Sequence, residues 1–370
     1  MTYETFIKNK DYAMKYVVPA FRKFGKSKLK IVDGHTILNK YGQEEKEINI
    51  FQKYANRIAY CGDRKYFQQC VDCGKVYFDG FESCKNRFCP VCQKLKSLKL
   101  FAKLYPTVMK LMSQGYIVKM LTFTIKDTKK LSDGVKLIKK AFRVFSHENK
   151  KYREVFNNLY IGGIKSLEVK RGANSNDWHP HFHALVISEK PEQDFNAINL
   201  MWNKTLIKLV NDSDTLIYDH QHYNDNFRIS DDDKLILMDK LGFVHMQSLN
   251  VATFDSRIKA VYECIKYITK YDSNLENDLP ELVENLKGIR TVDSWGLLRD
   301  IEKDIEDLNT LSLSAVQERI CIDCGSKVFA VLDAISTEQL RETLNYTDEI
   351  YDFETKTNKM EKKYGLSNTD

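Results

Sequence analysis

Six of the chain's nine cysteines fall in three Cys-x2-Cys pairs, Cys70/Cys73, Cys89/Cys92 and Cys321/Cys324, and pairs gathered around a shared ion leave a chain little conformational freedom. The first residues, Met-Thr-Tyr-Glu-Thr-Phe-Ile-Lys-Asn-Lys, lack the apolar core of a secretory signal, so the thiols are expected reduced and their spacing reads as metal-binding. Cys70/Cys73 and Cys89/Cys92, with 15 residues between them, predict one tetrahedral zinc-thiolate site. Four thiolates close the coordination shell, which makes that site structural. Cys84 and Cys61 are further candidates, and Cys321/Cys324, a knuckle similar to the one at Cys70, could complete a second site or replace a nearer pair. Cys264 lies in the apolar stripe of a helix and reads as a small buried hydrophobe.

A second cluster is Trp178-His-Pro-His-Phe-His-Ala-Leu-Val-Ile187. In an extended chain residues i and i+2 share a face, so His181 and His183 converge while Phe182 enters the core. Strands at Ile161–Lys170 and His179–Ile187, with the turn formers of 172–177 between them, predict a β-hairpin. Glu168 lies 13 positions before His181, where cross-strand pairing can bring its carboxylate beside both imidazoles. His179 competes for that third place. Two nitrogens, a carboxylate and open positions suit Mg2+ or Mn2+, whose task would be to polarise a phosphate oxygen. His220-Gln-His222, set among Asp and Asn, reads as a solvated loop without a role.

A third cluster is Glu263-Cys-Ile-Lys-Tyr267 within a helix expected over Phe254–Tyr271. Glu263 and Tyr267 share a face at i, i+4, flanked by Lys266 and Lys270, so a phenol, a carboxylate and two ammonium groups can meet one phosphate. With a pKa near 10, Tyr is a weak nucleophile, and neighbouring cations favour its phenolate.

The formal charge of +6 conceals an asymmetry. Residues 276–370 carry 11 basic and 21 acidic side chains of the chain's 57 and 51, which leaves residues 1–275 at net +16. Lys129, Lys130, Lys139, Lys140 and Arg143, and Arg87 near the cysteines, are interleaved with Phe and Tyr, a pattern that suits phosphate contacts and base stacking on DNA. No apolar run reaches the roughly 18 residues of a membrane span, so no membrane association and a cytoplasmic location are expected.

Coarse periodicity adds helices at Gln93–Met112, Ser132–Phe145 and Gln193–Val210 and strands at Tyr116–Ile125 and Phe243–Leu249. The expected architecture is α+β, with helices on an antiparallel sheet. The boundaries read as an N-terminal arm (1–60), a Cys-rich module (61–104), a catalytic domain (105–275) and an acidic, mainly helical accessory region (276–370), with helices at Leu297–Leu308 and Thr337–Leu344.

In order, Met120-Leu-Thr-Phe-Thr-Ile125, Trp178-His-Pro-His-Phe-His-Ala-Leu-Val186 and Glu263-Cys-Ile-Lys-Tyr-Ile-Thr-Lys270 resemble the three motifs of HUH endonucleases, specifically the replication initiators of small rolling-circle bacterial plasmids. Cys84–Gln93 is similar to a segment of those initiators and of two-tyrosine rolling-circle transposases, and the resemblance spans about Cys70 to Arg299. It implies an HUH domain with a central antiparallel sheet flanked by helices. It also implies a Tyr267 nucleophile that nicks single-stranded DNA at the double-strand origin, leaving a 5′-phosphotyrosine and a 3′-OH, with Glu263 activating water at termination. The implied partners are origin DNA, a host helicase and DNA polymerase, with self-association also open. Two rival readings are a transposase or relaxase-like enzyme that uses both Tyr267 and Tyr271, and a non-catalytic zinc-dependent DNA-binding protein.

Overall fold

The computed structural model describes residues 3–25, 28–29, 31–32, 35–36, 46–47, 49–189, 195–212, 227–229, 235–237, 241–249, 257–258, 261–262, 264–265, 275–299, 301, 320–321 and 323–335. In chain order its main elements are α1 (Tyr3–Tyr12), α2 (Val18–Phe24), α3 (Ile50–Ala59), β1 (Lys65–Cys70), β2 (Val76–Phe81), α4 (Pro90–Ser113), β3 (Ile117–Thr124), α5 (Leu131–Arg143), α6 (Lys150–Leu159), β4 (Gly162–Arg171), β5 (Trp178–Ser188), α7 (Phe195–Asn211), β6 (Val244–Ser248), α8 (Leu275–Leu286), β7 (Val292–Gly296) and β8 (Phe329–Ile335). The chain forms two compact units, one of residues 1–98, 273–280 and 306–370, the other of 99–272 and 281–305.

In the second unit a five-stranded antiparallel sheet has the order β6-β3-β5-β4-β7. The histidine-bearing strand β5 is central because its even-numbered residues, Phe182, Ala184 and Val186, are as apolar as the odd-numbered Leu185 and Ile187, and both faces of it are buried. α5 buries Leu137, Ile138, Ala141 and Phe142, and the Phe142 ring meets Phe182 at 5.4 Å. Around them Phe123, Phe145, Phe156 and Trp202 make edge-to-face contacts, for example Phe123 to Trp202 at 5.1 Å. Asn149 caps α6 by accepting from the Tyr152 amide. The β4–β5 hairpin closes where expected, with Asn176 left-handed at φ 55° and the Gly172 amide bonded to the Asp177 carbonyl.

In the first unit β8, β1 and β2 form a three-stranded antiparallel sheet. Phe6, Phe67 and Phe78 pack beside it; the Phe6 and Phe78 rings lie 5.8 Å apart.

The region after residue 275 differs from the helical accessory domain that its composition suggests. Among the described residues it supplies one helix, α8, and two strands, β7 at an edge of the second unit's sheet and β8 at an edge of the first unit's. Leu297–Arg299, expected to open a helix, is a turn. Five-residue edge strands such as Val-Asp-Ser-Trp-Gly carry too little alternation to be read locally, and partner strands distant in sequence determine them. The expected helix at Thr337–Leu344 lies outside the described residues.

Candidate metal centres

Strand register builds the first centre. Glu168 on β4 pairs directly with His181 on β5, and His183 follows two residues on, so all three side chains leave the sheet on one face. Glu168 Oε2 lies 3.1 Å from His181 Nε2 and 2.9 Å from His183 Nε2, and the two nitrogens are 3.1 Å apart. Each ring is oriented from behind: His181 Nδ1 meets the His179 carbonyl at 3.2 Å, and His183 Nδ1 meets Thr122 Oγ1 at 3.2 Å. With Nδ1 donating, Nε2 presents its lone pair to the centre. Burial raises the Glu168 carboxyl, but its bonds to His181 and His183 outweigh this and hold it well below the usual carboxylate range. Burial pushes the His181 imidazole down against the opposing pull of Glu168. An ionised carboxylate and a neutral imidazole are the forms that bind a cation.

Glu168, His181 and His183 each turn one ligand atom to a common point and could hold a metal ion.

His179 lies outside this trio. Its Nδ1 is held 2.6 Å from Asp127 Oδ1, and Asp127 also accepts from the Ser175 hydroxyl. Neither Asp127, Ser175 nor Thr122 was singled out by sequence reasoning, although Thr122, directly opposite His183 on β3, is placed there by the same alternation.

The cysteines form two groups, each with sulfurs within 4.8 Å of one another: Cys61, Cys84, Cys89 and Cys92, and Cys70, Cys73, Cys321 and Cys324. This corrects the expected pairing of Cys70/Cys73 with Cys89/Cys92. Cys70 closes β1 while Cys89 and Cys92 flank the start of α4, and the six residues of β2, about 20 Å of extended chain, run between them. Neighbouring sulfurs stand 3.4–3.6 Å apart, far beyond a bond of about 2.05 Å and close to the roughly 3.8 Å edge of a zinc-thiolate tetrahedron. Both groups could hold a metal such as zinc.

In the buried group the Cys84 thiol is driven far down by Cys61, Cys89 and Cys92, and the Cys84 amide points at Cys61 Sγ. The other group consists of two matching knuckles. In each, the glycine after the second cysteine is left-handed, Gly74 at φ 76° and Gly325 at φ 73°, and its amide bonds the first cysteine's carbonyl, at 2.9 and 2.8 Å. Burial opposes ionisation of Cys321, but the Tyr77 hydroxyl at 3.1 Å and two backbone amides bring its thiol down to about 6.

The basic residues do not gather at the trio. Lys139, Lys140 and Arg143 lie on the exposed side of α5, whose buried side covers the sheet face opposite the trio, and Lys140 and Arg143 are both paired with Glu148, at 3.0 and 2.6 Å. Lys129 and Lys130 are exposed just before α5, and Arg87 is half-buried in the first unit. Glu263, Lys266, Tyr267, Lys270 and Tyr271 lie outside the described residues. Of the described residues around them, Ile258, Val261, Cys264 and Ile265 are buried, Cys264 and Ile265 form a turn, and the Tyr262 ring meets Phe101 at 6.3 Å.

The family described as Replication protein matches residues 77–322, about two thirds of the chain. The chain belongs to this family. Relatives named "Protein rep" resemble this replication-family chain: one from Bacillus sp is 26% identical over 141 residues, covering 37% of this chain and 44% of the relative. One from Streptococcus pneumoniae serotype 2 is 27% identical over 148 residues, 38% and 44% of the two chains, and one from Staphylococcus aureus 24% over 169 residues, 41% and 70%. The replication-family chain thus spans less than half the length of the first two relatives. No solved structure matches it. Among the described residues no helix is long and apolar enough to cross a membrane.

Proposed function

We propose that this chain is a plasmid replication initiator of the HUH type, which nicks and rejoins one DNA strand at the double-strand origin. The observation that carries the reading is the trio of donor atoms 2.9–3.1 Å apart on the central strand pair of an antiparallel sheet. Glu168, His181 and His183 would hold Mg2+ or Mn2+, which supplies charge to a non-bridging oxygen of the scissile phosphate. The remaining work belongs to the protein. The Tyr267 phenolate attacks phosphorus, a Tyr–O–P bond forms as the bond to the 3′-oxygen breaks, and the released oxygen takes a proton to become the 3′-OH that a host polymerase extends. Lys266 and Lys270 stabilise the phenolate and the charge that builds on phosphorus. At termination Glu263 accepts a proton from water as that water displaces the tyrosine. Bond energy is conserved in the transfer, so no nucleotide cofactor is required. Zinc in the two cysteine groups acts structurally, and a host helicase and a second copy of the chain are the expected assembly partners.

The test incubates the protein with labelled origin oligonucleotides and Mn2+ and seeks an adduct that survives denaturation. Tyr267→Phe abolishes it, Tyr271→Phe leaves it intact, and Glu263→Ala still nicks but no longer hydrolyses the final junction. An adduct that persists in Tyr267→Phe overturns the assignment, and loss of strand transfer in Tyr271→Phe moves the chain to the two-tyrosine class.

A further inference from the structure

Beside the trio, at the end of β3 and β5, lies an open groove of about 520 Å³ lined in part by Thr124, Lys126, Asp127, Asp177, His179 and Phe243. It adjoins the metal centre directly. Thr124 is the cross-strand partner of His181, and the His179 ring is 5.2 Å from the His181 ring.

Phe243 is 41% exposed at this groove, on a segment whose backbone is clamped from two sides. Thr124 bonds Phe243 through its amide and its hydroxyl, at 2.9 to 3.1 Å. The fully buried Asn203 accepts from the Leu241 and Gly242 amides and donates to the Gly242 carbonyl at 2.6 Å. Gly242 passes so close to the Thr124 carbonyl that a Cβ would fall 2.2 Å from it, so only glycine permits this path. An aromatic ring presented by a rigid backbone is a stacking platform whose ordering cost is already met.

The two carboxylates of the groove differ. Asp127 is occupied by His179 and Ser175. Asp177 is held through its backbone, its amide bonded to Ser175 Oγ at 3.1 Å and its carbonyl to the Gly172 amide at 2.8 Å, and among the described residues no donor engages its carboxylate. A carboxylate accepts side-by-side donors best. Among the bases, guanine alone offers two adjacent donors, N1–H and N2–H, on its Watson–Crick edge.

We propose that this groove holds one unpaired guanine of a single DNA strand, its face on Phe243 and its Watson–Crick edge on Asp177, next to the phosphate bound at the trio. The exposed Lys126 lies at the rim for the adjoining backbone. The inference rests on the reading that the chain acts on single-stranded DNA, and it gives that reading a base preference that no residue of the trio can supply.

The experiment measures fluorescence anisotropy with the full zinc-loaded chain, without Mg2+ or Mn2+, on a labelled oligothymidylate of ~15 nucleotides, the same strand with one central guanine, and the same with inosine there. The guanine strand is expected to bind about 5- to 150-fold more tightly than the thymine strand, the range set by one bidentate base contact, with inosine between them. Asp177→Asn removes the guanine preference and retains thymine binding. Phe243→Ala weakens all three strands by about 5- to 150-fold, and Phe243→Trp restores them. Equal binding of the guanine and thymine strands, an undiminished preference in Asp177→Asn, or unchanged binding in Phe243→Ala overturns the pocket. Guanine preference without any tyrosine adduct overturns the nicking chemistry and leaves the pocket standing.

Discussion

Cys321 and Cys324 meet Cys73 and Cys70 from about 250 residues away, so an ion among them acts as a cross-link over most of the chain. For the 248 residues that separate Cys73 from Cys321, closing the loop removes about 18 cal/mol/K from the unfolded ensemble, roughly 5.5 kcal/mol at 25 °C. With an unfolding entropy of about 2.1 cal/mol/K per residue, that corresponds to a fall of about 7 °C in Tm if all 370 residues unfold together. The perturbation is the double substitution Cys321→Ser, Cys324→Ser, which leaves the buried group of Cys61, Cys84, Cys89 and Cys92 untouched. Elemental analysis should then find one zinc per chain in place of two, and calorimetry a Tm lowered by several degrees. Two zinc ions retained in the double variant would refute the grouping of the thiols. One zinc lost with an unchanged Tm would refute the cross-link.

Thr122→Val keeps the shape of the side chain but removes the hydroxyl behind His183, and should weaken Mn2+ binding by about 10-fold or more, read by titration; an unchanged affinity would deny the hydroxyl its orienting role. Lys165 is nearly buried, 4.6 Å over the Phe142 ring and 2.8 Å from the half-exposed Asp293 carboxylate. Burial raises that carboxyl, but the Lys165 bond outweighs it and holds it below the ordinary value of about 3.9. A depressed folded value means that the pair stabilises fully above the ordinary carboxylate pKa and loses its contribution as pH falls through the lower folded value. The gap in urea midpoint between the native chain and Asp293→Asn should accordingly be constant from about pH 7 to 5 and shrink below about 4, and a gap that widens in acid contradicts the pairing.

Local periodicity made much of the second unit legible. Apolar, β-prone residues in 162–171 and 178–188 marked both strands of the hairpin, the turn formers between them marked its closure, and from these Glu168 could be set against His181. The apolar positions of α5 likewise announced the face it buries. Thr122 is placed by the same alternation as Glu168, yet a hydroxyl carries no metal signature of its own. What local pattern could not supply was the choice among equivalent partners. Three Cys-x2-Cys pairs with Cys61 and Cys84 allow several four-thiolate groupings, and spacing favours the nearest, whereas the extended length of β2 separates Cys70/Cys73 from Cys89/Cys92 and the pairing of β8 with β1 delivers Cys321/Cys324 in their place. The groove beside the trio has the same origin, because Asp177 and Phe243 stand 66 positions apart in the chain and line one groove only through the ladder that seats β6 and its preceding loop against β3. By itself the sequence determined which side chains could serve as ligands and which strand faces they occupy, since both depend on residue type and a period of two. Which cysteines gather into one group, and which groove opens beside the histidines, only the tertiary structure decided, because both depend on strand pairings between segments far apart in sequence, where register and chain length outweigh any local preference.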